Sequence, residues 1–134
     1  MNIIKIVVLI LLASITSSAA VGNPQMRACR VTGGQFTTVL TDMDQLGMCR
    51  YGQALVGSID ILNKDDSELA PLSIENYRDG ILDCEAFNLT SVRTSDGKLI
   101  QVCRYNDGSI IDLVTLSRGR YDFRNQLLNK ALGF

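Results

Sequence analysis

Residues 49–62 read CRYGQALVGSIDIL, and residues 103–114 read CRYNDGSIIDLV. Both stretches begin with Cys-Arg-Tyr and continue into a Gly-Ser-Ile phrase, with a three-residue difference in the spacing between the two parts. A match in both parts indicates that a short segment has been repeated. We therefore expect an α+β protein made of two small repeated modules, each a short helix plus an antiparallel β-hairpin stapled by a disulfide.

The four cysteines are predicted to form two disulfides. An even number of cysteines in an exported chain is typical of a disulfide framework, and four cysteines allow three connectivities. Cys29 and Cys49 are 20 residues apart, and Cys84 and Cys103 are 19 apart. The similar spacing favours the pairs Cys29–Cys49 and Cys84–Cys103. A zinc site is the competing interpretation, and the lack of any Cys-x-x-Cys pair in the sequence argues against it.

The first 20 residues have the composition of a secretory signal peptide. A positive charge at Lys5 precedes an apolar run over residues 6–15, and the small residues Ser18 and Ala20 occupy the positions expected before a cleavage site. The apolar run is short for a bilayer-spanning helix. We expect a secreted or periplasmic protein with no transmembrane segment once the signal is removed.

Composition argues against several function classes. The sequence contains no histidine, which excludes a Ser-His-Asp triad and imidazole metal ligands. Thirteen basic residues against fourteen acidic ones give a net charge of −1, with no basic cluster for binding a phosphate backbone. We expect no catalytic residues, no cofactor, no metal and no nucleic-acid partner.

Turn and capping signals outline the first module, residues 21–62. Asn23 as N-cap, Pro24 at the first helical position and the Gly33-Gly34 pair as a stop predict a short helix over residues 24–32. Two strands are then predicted, over residues 35–41 and 46–51.

The second module, residues 81–120, carries a clear hairpin signal. Alternating β-branched runs over 88–94 and 99–105 flank Asp96-Gly97, which predicts a type I′ turn. A short helix capped by Ser109 and ending at Gly119 should follow.

Two further segments complete the chain. Residues 63–80 are polar and contain Pro71, so we interpret them as a connector. Residues 121–134 predict an amphipathic helix, and docking on the protein's own core is favoured over contact with a membrane or partner. The apolar residues at helical spacing are Phe123, Leu127, Leu128, Ala131 and Leu132.

These motifs resemble a small exported bacterial domain of unknown function that often occurs in proteins carrying a hemolysin label. The front signature of that domain is matched at Asn23, Pro24, Cys29, Gly33, Gly34, Gly47 and Cys49. The rear signature is matched at Cys103, Asp107, Gly108, Ser109, Asp112, Arg118 and Gly119. Each half of the chain thus carries a different end of the pattern.

The chain also departs from that domain. Asn88-Leu89 stands where Gly-Gly is expected in the second half, and Val114 stands near the usual tryptophan. Ile111 and Tyr121 lie at or near the places of two further cysteines. The matched glycines, cysteines and turn residues carry no known chemistry, so the resemblance implies a fold more than an activity.

Several acidic residues are candidate chemical groups. Asp42 and Asp44 begin like a calcium loop but lack the bidentate glutamate, so a polar hairpin loop is favoured. Asp60 and Asp112, at matching places in the repeat, suggest paired carboxylates for acid–base work. Helix capping or an ion pair with a nearby arginine is the preferred interpretation.

The residues after the repeated cysteines are the candidate interface. Arg50 and Arg104 suggest a paired site for an anionic ligand, against the alternative of solvated strand arginines. Arg50, Tyr51, Arg104 and Tyr105 are residue types enriched where interfaces carry their binding energy.

We therefore expect a non-catalytic exported binding module, an inhibitor or envelope factor that contacts a protein or envelope component. The alternative is a membrane-active, lytic factor, as the hemolysin label suggests.

Overall fold

The computed structural model describes residues 23–134, so the predicted signal peptide lies outside the described residues. The helices are α1 (Pro24–Val31), α2 (Ser58–Leu62), α3 (Leu72–Asp79), α4 (Leu113–Arg118) and α5 (Gln126–Leu132). The strands are β1 (Gln35–Leu40), β2 (Gln45–Tyr51), β3 (Ala54–Gly57), β4 (Leu89–Thr94), β5 (Leu99–Arg104) and β6 (Ile110–Asp112). Two 3-10 turns cover Ala86–Asn88 and Phe123–Asn125.

The six strands form one closed barrel in the order β1-β2-β3-β6-β5-β4, and every neighbouring pair is antiparallel. The first half of the chain supplies β1 to β3 and the second half supplies β4 to β6. The halves join where Val56 lies opposite Ile111 and where Val39 lies opposite Thr94. The α+β class is confirmed, but the predicted hairpins share a single barrel.

The barrel interior is filled by one buried side chain from each strand. Because side chains alternate between the two faces of a strand, Met48 of β2 points inward while Cys49 points outward. The inner set is Val39, Met48, Leu55, Val92, Val102 and Ile110. A second core lies between the outer face of the barrel and the helices, and it contains both buried tyrosines, Tyr51 and Tyr77.

Both predicted disulfides are present. Cys29–Cys49 joins α1 to β2 with its Cα atoms 5.2 Å apart, and Cys84–Cys103 joins the segment before β4 to β5 at 5.8 Å. Residues 81–85 around Cys84 have no regular secondary structure, and only a 3-10 turn precedes β4. The predicted helix-plus-hairpin plan therefore describes the first half and not the second.

Local capping explains α1. The Asn23 side chain accepts a hydrogen bond from the backbone N–H of Gln25 at 2.9 Å, and Pro24 occupies the first turn. The helix ends before Gly33, whose φ of +88° reverses the chain toward β1. The predicted start of α1 at Pro24, its end before Gly33 and the β-hairpin that follows it are confirmed.

The turn between β4 and β5 differs from the predicted type I′ turn. That turn type requires positive φ at both central residues, and only Gly97 has it. Gly97 N donates to Thr94 O at 2.9 Å, and Thr94 N donates to Lys98 O at 2.8 Å. The loop therefore has three residues, with Gly97 in the left-handed position after a tight turn.

The segment over residues 63–80 is more than a connector, because it contains α3. Ile74 and Tyr77 are three residues apart on one face of this helix, and both are buried in the outer core. The polar composition of the segment masked this short apolar stripe.

The predicted helix after residue 109 begins later than expected. Ile110–Asp112 forms β6, and Asp112, not Ser109, caps α4 by accepting a hydrogen bond from Thr115 N. The predicted end at Gly119 is confirmed, with φ of +78°. The next helix, α5, docks on the outer core as expected through Leu128, Ala131 and Leu132, whereas Phe123 and Leu127 stay exposed.

Candidate functional site

Arg50 and Arg104 lie at opposite mouths of the barrel. Arg104 Nη2 is 3.4 Å from Asp44 Oδ2, and Asp44 immediately precedes β2. Arg50 lies near the other end of β2, which places it about 20 Å from Asp44 along the strand at roughly 3.3 Å per residue. The two arginines therefore do not form the paired anionic-ligand site that the repeat suggested.

The two candidate interface tyrosines are packed against the outer core. Tyr51 is only 1% exposed, and its hydroxyl lies 2.7 Å from Thr32 Oγ1 under α1. Strand alternation turns this ring outward from the barrel and into the layer beneath the helices. Tyr51 is thus a core residue, and its assignment to an interface is wrong. Tyr105 is half-buried, and burial raises the pKa of its hydroxyl to about 12.

A cavity of about 600 Å³ opens at the mouth around Arg50. Leu55 and Ile100, which belong to the barrel interior or pack against it, lie among its lining residues. Three cationic side chains, Arg50, Lys98 and Arg118, line the same cavity. We call this feature the Arg50 mouth.

The acidic residues of the Arg50 mouth already have partners. Asp112 Oδ2 accepts hydrogen bonds from Thr115 N at 3.1 Å and Thr115 Oγ1 at 3.0 Å. Burial raises the pKa of Asp112, while these hydrogen bonds and the nearby charges of Arg118 and Arg50 oppose the rise. The carboxylate of Asp96 is hydrogen-bonded by the Thr94 hydroxyl, which holds the pKa of Asp96 below its usual value. Capping, the preferred interpretation of Asp112, is confirmed.

The cations have weaker attachments. Arg118 Nη1 donates to Gln53 Oε1 at 3.3 Å. Within residues 23–134, neither the guanidinium of Arg50 nor the ammonium of Lys98 has a hydrogen bond or an ion pair with the protein. These two groups are free to contact a ligand.

Asp60 is the most strongly perturbed carboxyl group, and it lies apart from Asp112. Asp60 is 4% exposed, and its Oδ2 accepts from Ser73 Oγ and Ile110 N, each at 2.9 Å. Burial raises its pKa to about 7. The carboxylate whose charge adds to this rise is Asp107. Asp60 lies inside α2 whereas Asp112 precedes α4, so the two are not at matching places, and each carboxyl group is hydrogen-bonded to other residues and not to its counterpart.

The Asp107-Gly108-Ser109 motif supplies caps for a helix distant in sequence. Pro71, at the N-cap position of α3, makes no side-chain capping bond. Instead, Asp107 Oδ2 accepts from Leu72 N and Ser109 Oγ accepts from Ser73 N, each at 2.9 Å. Asp60, which binds Ser73 Oγ, completes the network, so this cluster of polar groups joins α2, α3 and β6.

The remaining candidate groups are accounted for by local contacts. The Asp44 carboxylate accepts hydrogen bonds from the Thr41 hydroxyl and from Arg104, an arrangement typical of a polar hairpin loop. In the part of the chain that the structure describes, no three His, Cys, Asp or Glu side chains are placed to hold a metal ion. Among those same residues, every helix is too short or too polar to cross a bilayer.

Sequence reasoning identified Arg50 but missed Lys98 and Arg118. These three residues are far apart in sequence and no sequence pattern links them, because closure of the barrel is what brings them to one cavity. The chain matches no model of a known protein family, no curated protein and no solved structure.

Proposed function

We propose that this protein is a non-catalytic exported binding module and that the Arg50 mouth is its contact surface. The observation that carries the proposal is the open cavity lined by Arg50, whose guanidinium has no hydrogen bond or ion pair among the described residues. A pocket of a few hundred Å³ with a few converging polar groups is typical of a ligand site.

The state of the other polar groups supports binding over catalysis. The carboxylates of Asp60, Asp107 and Asp112 each accept hydrogen bonds from backbone N–H groups. A carboxylate that joins or caps structural elements in this way is held for stability and is poorly placed to move onto a substrate. All four cysteines are in disulfides, which leaves no thiol nucleophile.

Export is supported by the two disulfides, because such bonds persist in oxidising compartments. The resemblance to a small exported bacterial domain agrees with this location. We therefore place the binding module in the periplasm or outside the cell, where its partner is a protein or envelope component.

The experiment compares two tryptophan variants in capture from an envelope extract. Gln53 is exposed at the Arg50 mouth, and Gln53→Trp should obstruct the cavity without touching the core. Met43 is 95% exposed in the β1–β2 turn, at the other end of the barrel, and Met43→Trp is the matched control. We expect Gln53→Trp to abolish capture of a partner that wild type and Met43→Trp retain.

Equal capture by all three proteins would show that the Arg50 mouth is not the contact surface. Release of dye from liposomes by the wild-type protein would instead favour the lytic alternative.

A further inference from the structure

We propose that the Arg50 mouth binds a tetrahedral oxyanion, a phosphate or sulfate group, between Arg50, Lys98 and Arg118. This inference rests on the proposed function, since it names the ligand chemistry of the same mouth.

Three cations converge on the mouth from three different elements. Arg50 is in β2, Lys98 immediately precedes β5 and Arg118 ends α4. Like charges gathered at one cavity repel each other, and an anion bound between them removes that repulsion. The two carboxylates that line the mouth do not cancel three cations, so the lining keeps a net positive charge.

The opposite mouth shows how this barrel neutralises such an arginine when no ligand is needed. Arg104 follows Cys103 as Arg50 follows Cys49, and each arginine lies at the same mouth as the residue that precedes the second strand of the other hairpin. For Arg104 that residue is Asp44, and the two form an ion pair. For Arg50 the corresponding residue is Lys98, which lines the same cavity. The place of Asp44 is thus taken by a cation at the Arg50 mouth, and the two carboxylates of that mouth, Asp96 and Asp112, already accept hydrogen bonds from Thr94 and Thr115.

The surroundings suit an oxyanion. Arginine presents a planar fork of N–H donors that matches phosphate oxygens, and lysine adds a compact charge. Thr37 also lines the cavity, and its hydroxyl can donate a hydrogen bond to an anion. Beneath it, the apolar side chains of Leu55 and Ile100 lower the local polarity, which strengthens charge interactions.

The size of the cavity constrains the ligand. At about 600 Å³ it is far larger than one phosphate ion. The oxyanion is therefore expected to be part of a larger molecule, either a soluble phosphorylated or sulfated compound or a phospholipid headgroup.

The experiment titrates inorganic phosphate into the exported protein at constant ionic strength, with chloride as the balancing anion. Binding is followed by calorimetry and by amide chemical shifts. We expect saturable binding at one site, with the largest shifts around Arg50. Arg50→Gln and Lys98→Gln should each weaken binding, Arg50→Gln by about tenfold or more, because a charge-assisted hydrogen bond is lost.

Arg104→Gln is the matched control, because it removes the equivalent arginine at the opposite mouth and should leave phosphate affinity unchanged. Lys98 is exposed, so Lys98→Gln keeps the test valid if Arg50→Gln fails to fold. Co-sedimentation with phosphatidylglycerol vesicles identifies the source: binding that is lost in Arg50→Gln assigns a lipid headgroup, and no binding assigns a soluble ligand.

The proposal is overturned if phosphate shows no saturable binding by about 10 mM, a range that includes weak millimolar sites. It is also overturned if Arg50→Gln and Arg104→Gln bind phosphate equally well. If Gln53→Trp loses partner capture but the wild-type protein does not bind phosphate, the Arg50 mouth is still the contact surface and only the oxyanion proposal is refuted. If the wild-type protein binds phosphate but Gln53→Trp still captures the partner, only the proposal that the Arg50 mouth is the contact surface is refuted.

Discussion

Gly33 and Gly34 meet two different requirements at the junction of α1 and β1. Gly33 has φ of +88°, a conformation that favours glycine, and a Cβ added there would meet nothing within 4 Å. Gly34 is needed for space, because a Cβ at this position would lie 2.6 Å from the Tyr51 ring. The sequence predicted a helix stop from this pair, whereas the close approach to Tyr51 depends on the disulfide-linked packing of α1 on β2.

Asp60 should make the stability of the protein depend on pH. Its native pKa of about 7 lies above the ordinary value of 3.8, so the native state binds this proton more tightly than the unfolded chain does. The contribution of the protonated Asp60 carboxyl group to the unfolding free energy is fully present below about pH 4 and is lost as the pH rises to about 7. Asp60→Asn keeps an oxygen acceptor for Ser73 and Ile110 without the titrating charge.

We therefore expect the unfolding free energy of wild type to fall, relative to Asp60→Asn, between pH 4 and pH 7. At pH 8 the variant should be at least as stable as wild type. Urea unfolding of both proteins across this range gives the measurement. Asp66→Asn serves as the control, since Asp66 is exposed and its pKa is lowered by backbone hydrogen bonds from Leu69 and Glu68. A wild type that gains stability over Asp60→Asn as the pH rises would contradict the assignment.

Among the elements, the short strands β3 and β6 were the ones that sequence patterns did not reveal. All four residues of β3 and all three of β6 are buried. A strand buried on both faces shows no alternation of polar and apolar residues, and so short a run cannot be told from part of a helix. These two strands nevertheless close the barrel, through Val56 and Ile111.

The two disulfides should differ in how much stability they contribute. Closing a loop of about 20 residues is worth roughly 3 kcal/mol in either half. Cys29 and Cys49 are both fully buried, so serine at these positions also buries two hydroxyls, whereas Cys84 is half-buried. We expect Cys29→Ser/Cys49→Ser to lower the melting temperature more than Cys84→Ser/Cys103→Ser does.

Thermal melts of the two double variants, followed by circular dichroism, make this comparison. Cys84→Ser/Cys103→Ser should still capture the partner, because neither cysteine lines the Arg50 mouth. Equal melting temperatures for the two variants would show that burial of the first bridge adds nothing to its loop closure.

The whole molecule is held together by contacts between its two halves. The inner core takes one side chain from each of six strands, so neither half can complete it alone. Each isolated half would also leave strand edges exposed, at β1 and β3 or at β4 and β6.

Fragments covering residues 23–80 and 81–134 should therefore be unfolded when separate and should form the barrel when mixed. Amide proton spectra, narrowly dispersed for each fragment and widely dispersed for the mixture, would show this. A native-like spectrum from residues 23–80 alone would indicate an independent module, as the repeat first suggested.

Features that depend on neighbouring residues could be predicted from the sequence. The start and end of α1, the strands of both hairpins, the end of α4 at Gly119 and the α+β class all follow from patterns a few residues long. The spacing of the cysteines also identified their partners, because each disulfide joins two parts of one half.

The way in which the two halves meet depends on long-range packing and could not be predicted from the sequence. Closure of the barrel buries the Tyr51 ring in the outer core and separates Arg50 from Arg104. It also places Lys98 and Arg118 at the cavity that Arg50 lines. The same closure places Asp107 and Ser109 over the start of α3, about 35 residues away in the chain. Sequence patterns reflect the 3.6-residue period of a helix and the two-residue period of a strand, and both periods lie within single elements. The contacts between the halves depend instead on which strand edges pair, and that pairing is determined by the packing of the whole core.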